Sequence, residues 1–239
     1  MSTPCRLIMT RALPEAVQSA ARLEALGLVI DIVPILEQEL LKAGLPAAGE
    51  VTSIALTSQN ALAGLKYNRA LEDYLALPLF AVGEKSGRAA LDAGFSMVEW
   101  SDGGVGALAH LIGQRQPGSA VFYPGAETVS GDLEALLTPF GCKVTRVPVY
   151  RMRGLEALPK DISTLLAAGV IDGALIYSQR AASIFAGLAG NADIEMLCLS
   201  ETIGQVLLRA GYSRISLADF PSEEAMMALA LSFARGQIR

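Results

Sequence analysis

Short apolar runs alternate along the chain with segments whose apolar residues recur at three- and four-residue spacing. The runs are CRLIMT (5–10), LVIDIV (28–33), TSIALT (52–57), PLFAV (78–82), SMVEW (96–100) and AVFYP (120–124). They continue with KVTRVPVY (143–150), DGALIY (172–177), EMLCL (195–199) and SRISL (213–217). Helical spacing fills 14–27, 84–94, 130–141, 179–190, 201–211 and 222–236. Most of these helices are followed by glycine, the residue that adopts the left-handed cap without strain. Strands that are apolar at nearly every position are buried on both faces, which in alternation with helices predicts parallel α/β sheets in three layers.

The chain also resembles itself. ALTSQNALAGL (55–65) matches LIYSQRAASIFAGL (175–188), setting Ser58 against Ser178, 120 residues apart. Arg11, Gly27 and Pro34 are spaced by 16 and 7 residues, as are Gly125, Gly141 and Pro148. The period is far too long for a solenoid and predicts two similar domains.

Two proline-bearing extended segments, DIVPILEQE (31–39) and VTRVPVYRMR (144–153), read as crossings between them. The expectation is a discontinuous first domain of residues 1–33 and 152–239, a second of residues 40–146, and a two-stranded connector of residues 34–39 and 147–151. A sequential split near residue 120 would leave each half short of strands.

Composition narrows the function. The chain has 239 residues, 52% apolar and 18% charged, enough to fill sizeable cores. No apolar stretch approaches the roughly 20 residues of a spanning helix, and MSTPCRLIMT lacks the pattern of a secretory leader. A net charge of −5 with no Lys/Arg cluster argues against nucleic acid. Cys5, Cys142 and Cys198 are scattered and His110 is the only histidine, so no metal site is expected and the thiols read as reduced. A cytoplasmic monomer acting on a small molecule, with neither nucleic acid nor membrane as partner, is the expectation.

Four strand-to-helix turns carry glycine or hydroxyl residues: Thr57-Ser58-Gln59, Gly83-Glu84-Lys85-Ser86, Ser178-Gln179-Arg180 and Ser200-Glu201-Thr202. Such turns put free N–H groups at the carboxyl ends of parallel strands, where anions bind. Helix capping alone would explain any one of them. The run from Gly104 to Ala109 mimics a dinucleotide fingerprint but lacks the acidic residue ending the next strand, so Asp102 reads as a helix cap. Tyr150 closes the second crossing beside Arg151 and Arg153, either packed at a domain interface or aimed into a cleft as a proton donor.

T-S-Q-N-A (57–61), A-V-G-E-K-S (81–86), G-C-K-V-T-R-V-P-V-Y-R (141–151) and L-S-E-T-I-G (199–204) with A-G-Y (210–212) together resemble the uroporphyrinogen-III synthase family. The resemblance implies two α/β domains on a two-stranded connector and cyclisation of the linear tetrapyrrole hydroxymethylbilane to uroporphyrinogen III, with ring D inverted and water lost. It implies neither cofactor nor metal. The family pattern falls on Thr57, Ser58, Gly83, Ser178, Thr202 and Tyr150, with Tyr150 as the acid that assists loss of water. Arg11, Lys85, Ser86 and Arg180 are further candidates for binding the substrate's carboxylates. The other reading of the same architecture is a two-domain small-molecule binding protein without catalysis.

Overall fold

In the computed structural model, residues 4–129, 131–190 and 192–236 are described. The chain runs β1 (Arg6–Met9), α1 (Glu15–Glu24), β2 (Val29–Ile32), β3 (Leu36–Leu40), β4 (Ser53–Leu56), α2 (Asn60–Tyr67), α3 (Leu71–Tyr74), β5 (Leu79–Val82), α4 (Gly83–Asp92) and β6 (Val98–Ser101). It continues with α5 (Val105–Arg115), β7 (Ala120–Ala126), α6 (Leu133–Leu137), β8 (Lys143–Gly154), α7 (Lys160–Ala167) and β9 (Gly173–Ile176). The last elements are α8 (Gln179–Ala189), β10 (Glu195–Cys198), α9 (Glu201–Arg209), β11 (Ile215–Leu217) and α10 (Glu223–Ala234).

Two compact units result, one of residues 1–37 and 153–239, the other of residues 38–152. Both divisions fall inside strands, β3 and β8, which are hydrogen-bonded neighbours. The Leu41 N–H donates to Val149 O and the Leu155 N–H to Ile35 O, so numbering rises on one strand as it falls on the other. The ladder is antiparallel. All strand pairs other than this one are parallel, in both sheets.

The sheet of the first unit has the order β11-β10-β9-β1-β2, and that of the second β3-β8-β7-β4-β5-β6. Without β3, the second reads β6-β5-β4-β7-β8, which corresponds to the first strand for strand, β4 to β9 and β7 to β1. These are the pairings the internal repeats imply, since Ser58 follows β4 as Ser178 follows β9. The order is that of one doubly wound sheet entered at different strands.

Each sheet is packed on both faces. In the first unit, Ile8, Ala174, Ile176, Met196 and Cys198 face one core while Leu7, Met9, Leu175 and Leu197 face the other. In the second, Ile54, Leu56, Leu79 and Phe122 face one core, and Ala55, Phe80 and Val121 the other. Central strands of the sequence SIAL and GALI, buried at all four positions, are what this double burial demands.

Candidate functional site

In an open α/β sheet the ligand crevice opens at the carboxyl ends of two neighbouring strands whose connections leave in opposite directions. That point lies between β4 and β7 in the second unit and between β1 and β9 in the first.

In the second unit, Thr57 and Ser58 leave β4 in succession and meet two different tyrosines. Thr57 Oγ1 lies 3.0 Å from the Tyr123 hydroxyl, which β7 carries. Ser58 Oγ accepts from the Asn60 N–H at 3.3 Å, and its hydroxyl faces Tyr150 of β8, whose ionisation it favours. Tyr123 packs with the core on one side of the sheet and Tyr150 with the core on the other.

Tyr150 reaches that position through a bulge. The register with β7 runs Pro124 to Val147 and Gly125 to Pro148, then jumps from Ala126 to Tyr150. Neighbours on a regular strand alternate faces, but here Val149 and Tyr150 are both buried in one core. Only 5% of Tyr150 is exposed. Burial pushes its phenol above the ordinary tyrosine value, the Ser58 hydroxyl opposes that rise, and Tyr123 adds to it. The phenol therefore keeps its proton at neutral pH. The flanking arginines are engaged elsewhere, Arg151 by the two carboxylate oxygens of Glu39 at 2.8 and 2.9 Å, and Arg153 by Glu156.

Gly83 opens α4 with φ +75°, and a Cβ there would meet nothing within 4 Å. Backbone conformation, not crowding, calls for glycine. Lys85 is exposed in the first turn of α4, whereas Ser86 turns inward and is buried. No side chain caps α4, which leaves the N–H groups of its first turn open to an anion; those of α2 are taken, Asn60 by Ser58 Oγ, Ala61 by the Ser58 carbonyl and Leu62 by that of Gln59. Asp102 is not the cap predicted for α5. Gly104 holds that position without a side-chain bond, because the chain needs two more residues to turn.

In the first unit the corresponding turns differ from one another. Ser178 caps α8 through Oγ, which accepts from the Ala181 N–H at 3.1 Å. Ser200 begins α9 without capping it; its hydroxyl pairs with that of Thr202 at 3.1 Å. Thr202 and Arg180 are both exposed. Arg11, at the end of β1, is bound to Glu223 at the start of α10 and stacks on the Tyr177 ring 5.0 Å from its centroid. Sequence reasoning missed Tyr123, Tyr177 and Glu223. Tyr177 precedes Ser178 in the repeat, but Thr57 occupies the matching place before Ser58, so repetition gave no signal.

Among the described residues, no group of three His, Cys, Asp or Glu side chains could hold a metal ion. No helix among them is long and apolar enough to cross a membrane. The chemistry available is hydrogen bonding from hydroxyls, phenols and helix N-termini, with cations at the rim.

Two doubly wound units of identical strand order, each with hydroxyl residues at its switch point, define a duplicated α/β protein. The family described as "Uroporphyrinogen-III synthase HemD" matches residues 17–228. The chain belongs to that family, whose members are enzymes of porphyrin and haem biosynthesis. Its fold is similar to that of uroporphyrinogen-III synthetase from Helicobacter pylori 26695, at TM-score 0.68 and 17% identity over 96% of this chain and 99% of the other. A mutant uroporphyrinogen III synthase from the extreme thermophile Thermus thermophilus matches at TM-score 0.54 and 19% identity, over 98% of this chain and 99% of that one. No curated protein sequence matches. The reading as a binding protein without catalysis is not favoured by these findings.

Proposed function

We propose that the chain closes hydroxymethylbilane to uroporphyrinogen III with Tyr150 as the proton donor that assists departure of the ring A hydroxyl. The observation that supports this most is the bulge in β8 that turns the protonated Tyr150 phenol toward Ser58, the residue that follows β4 and Thr57. Loss of hydroxide with that proton gives water and an electrophilic azafulvenium cation on ring A, which is the azafulvene once its pyrrole N–H proton returns to the phenolate. Unassisted closure would join it to the free carbon of ring D. The III isomer requires attack by the substituted carbon of ring D instead, forming a spiro intermediate that fragments and recloses with the ring turned over. Holding ring D is therefore the main task, and positioning does most of the catalysis.

The substrate's eight carboxylates supply the handles. The open N-termini of α4 and α9 each offer roughly half a positive charge, worth about 0.3–1 kcal/mol per carboxylate. Thr57, Ser58, Gly83, Ser178 and Thr202 shape the four strand-to-helix turns, and Lys85 and Arg180 stand in first turns where charge-assisted bonds add about 1.5–3 kcal/mol each. Arg11 is already held by Glu223, and we assign it to securing the turn after β1. Buried Ser86 is assigned to packing of α4. We take the protein to act as a cytoplasmic monomer without nucleic acid; its three free thiols suit a reducing compartment.

Mixing the protein with freshly generated hydroxymethylbilane and separating the products tests the reading. Predominantly III isomer is expected. Accumulation of the I isomer at the uncatalysed rate would leave a binding protein.

A further inference from the structure

Resting on that reading, we infer that Tyr123 is a positioning residue, which donates to Thr57 Oγ1 and thereby aims the threonine's own hydrogen outward at a substrate carboxylate. The two hydroxyls are 3.0 Å apart. A phenol, with a pKa of about 10, is far more acidic than an alkyl alcohol and is the better donor of the pair. Once Thr57 Oγ1 accepts from Tyr123, its single O–H has one task left. Thr57 is half-buried at the end of β4, and among the described residues its hydroxyl has no other hydrogen-bond partner. Accepting one hydrogen bond polarises a hydroxyl and strengthens the one it donates.

Geometry fixes the Tyr123 ring independently of that bond. Only 3% of the residue is exposed, and its ring lies against Gly125. A Cβ on Gly125 would come within 3.1 Å of the ring edge, 3.3 Å of Cζ and 3.5 Å of the hydroxyl oxygen. The absence of a side chain two residues further along β7 is what lets the ring settle with its hydroxyl at the switch point. Ala126, the next residue, begins the bulge that delivers Tyr150. One short stretch of β7 thus places both phenols, Tyr123 through Gly125 and Tyr150 through the register shift.

The experiment is a double-mutant cycle on the intact protein, with III-isomer formation followed for the wild type, Tyr123→Phe, Thr57→Ala and the double variant. Tyr123→Phe is expected to raise KM about three- to tenfold with kcat within twofold, the size of one hydrogen bond. In the Thr57→Ala background the same change is expected to have no further effect. Gly125→Ala, which presses on the ring without removing the hydroxyl, is expected to raise KM in the same direction. Thermal unfolding of each variant separates loss of fold from loss of binding. An unchanged KM for Tyr123→Phe, or an equal rise in both backgrounds, would overturn the inference while the wild type still made the III isomer. A wild type that made none would instead remove the reading beneath it.

Discussion

The guanidinium of Arg11 stacks on the ring of Tyr177 at 5.0 Å while holding Glu223, 212 residues away in sequence. Ser19 donates to the same carboxylate, so one acidic side chain ties β1, α1 and α10 together. Arg11→Ala removes the stacking, worth about 0.5–1 kcal/mol, and a part-buried ion pair of similar size. A loss of about 1–2 kcal/mol in urea unfolding is expected, with Arg11→Lys recovering part of it. Full stability in Arg11→Ala would return this arginine to the list of substrate contacts.

Tyr150→Phe deletes one hydroxyl from a buried site and leaves the ring in place. III-isomer formation is expected to slow by about tenfold to a hundredfold, the lower range for general acids, because the azafulvene forms readily without help. Ser58→Ala and Ser178→Ala are expected to cost less in rate. The latter should lose about 1 kcal/mol of stability as a cap, of which Ser178→Gly restores most. Because burial raises the Tyr150 phenol above the ordinary tyrosine value of about 10, the alkaline fall in wild-type rate should lie above that pH. A Tyr150→Phe enzyme with unchanged turnover would reduce the residue to packing.

Stability should also decline in alkali, and the buried thiols set where. Cys198 is pushed from 9.0 up to about 12, chiefly by burial and then by the charge of Glu195. Cys5 is raised to about 11 by burial and then by Asp172. In the unfolded chain both ionise near 9, so above that pH the unfolded state binds fewer protons than the native one and stability falls as pH rises. Each fully buried thiol contributes at most about 1.4 kcal/mol per pH unit, less for the part-exposed Cys5. Well below pH 9 neither contributes any slope. Urea unfolding at about pH 8 and about pH 10.5 measures the decline, which Cys198→Ala should make shallower; an identical slope in that variant would assign the effect to Cys5 and the tyrosines.

Gly64 on α2 faces Val149, the residue before Tyr150. A Cβ there would lie 2.6 Å from two Val149 carbons and 2.8 Å from its carbonyl oxygen. Gly64→Ala gains helix propensity yet forces β8 outward, so a net loss of about 1–3 kcal/mol is expected. Activity should fall alongside, since the bulge that carries Tyr150 moves with Val149. Unfolding and turnover measured on the same preparation check both; an Ala variant more stable than the wild type would show that the strand yields freely.

The sheets were legible because double burial leaves strands such as SIAL and GALI without charged residues, and the duplication was legible because both copies keep Ser at the same turn. Pairs that meet only through the fold were not. Tyr123 and Thr57 are 66 residues apart, and only the adjacency of β4 and β7 brings them together. Arg11 looked like a free cation because its partner lies near the other end of the chain. The bulge that turns Tyr150 onto the face of Val149 leaves no trace in the alternation of VTRVPVY, which reads as an ordinary strand.

The strand order of the first unit bears on how the protein is made. Ribosomal synthesis delivers β1 and β2 first, yet the neighbour that covers the other edge of β1 is β9, which pairs Gly173 with Leu7. For the time needed to translate more than a hundred intervening residues, Leu7, Ile8 and Met9 belong to a two-stranded fragment with a bare edge. Unit two, contiguous from residue 38 to 152, can close in that interval. Nascent chains stalled between the two events should therefore hold a folded central unit and an amino-terminal strand pair whose edge is still unpaired.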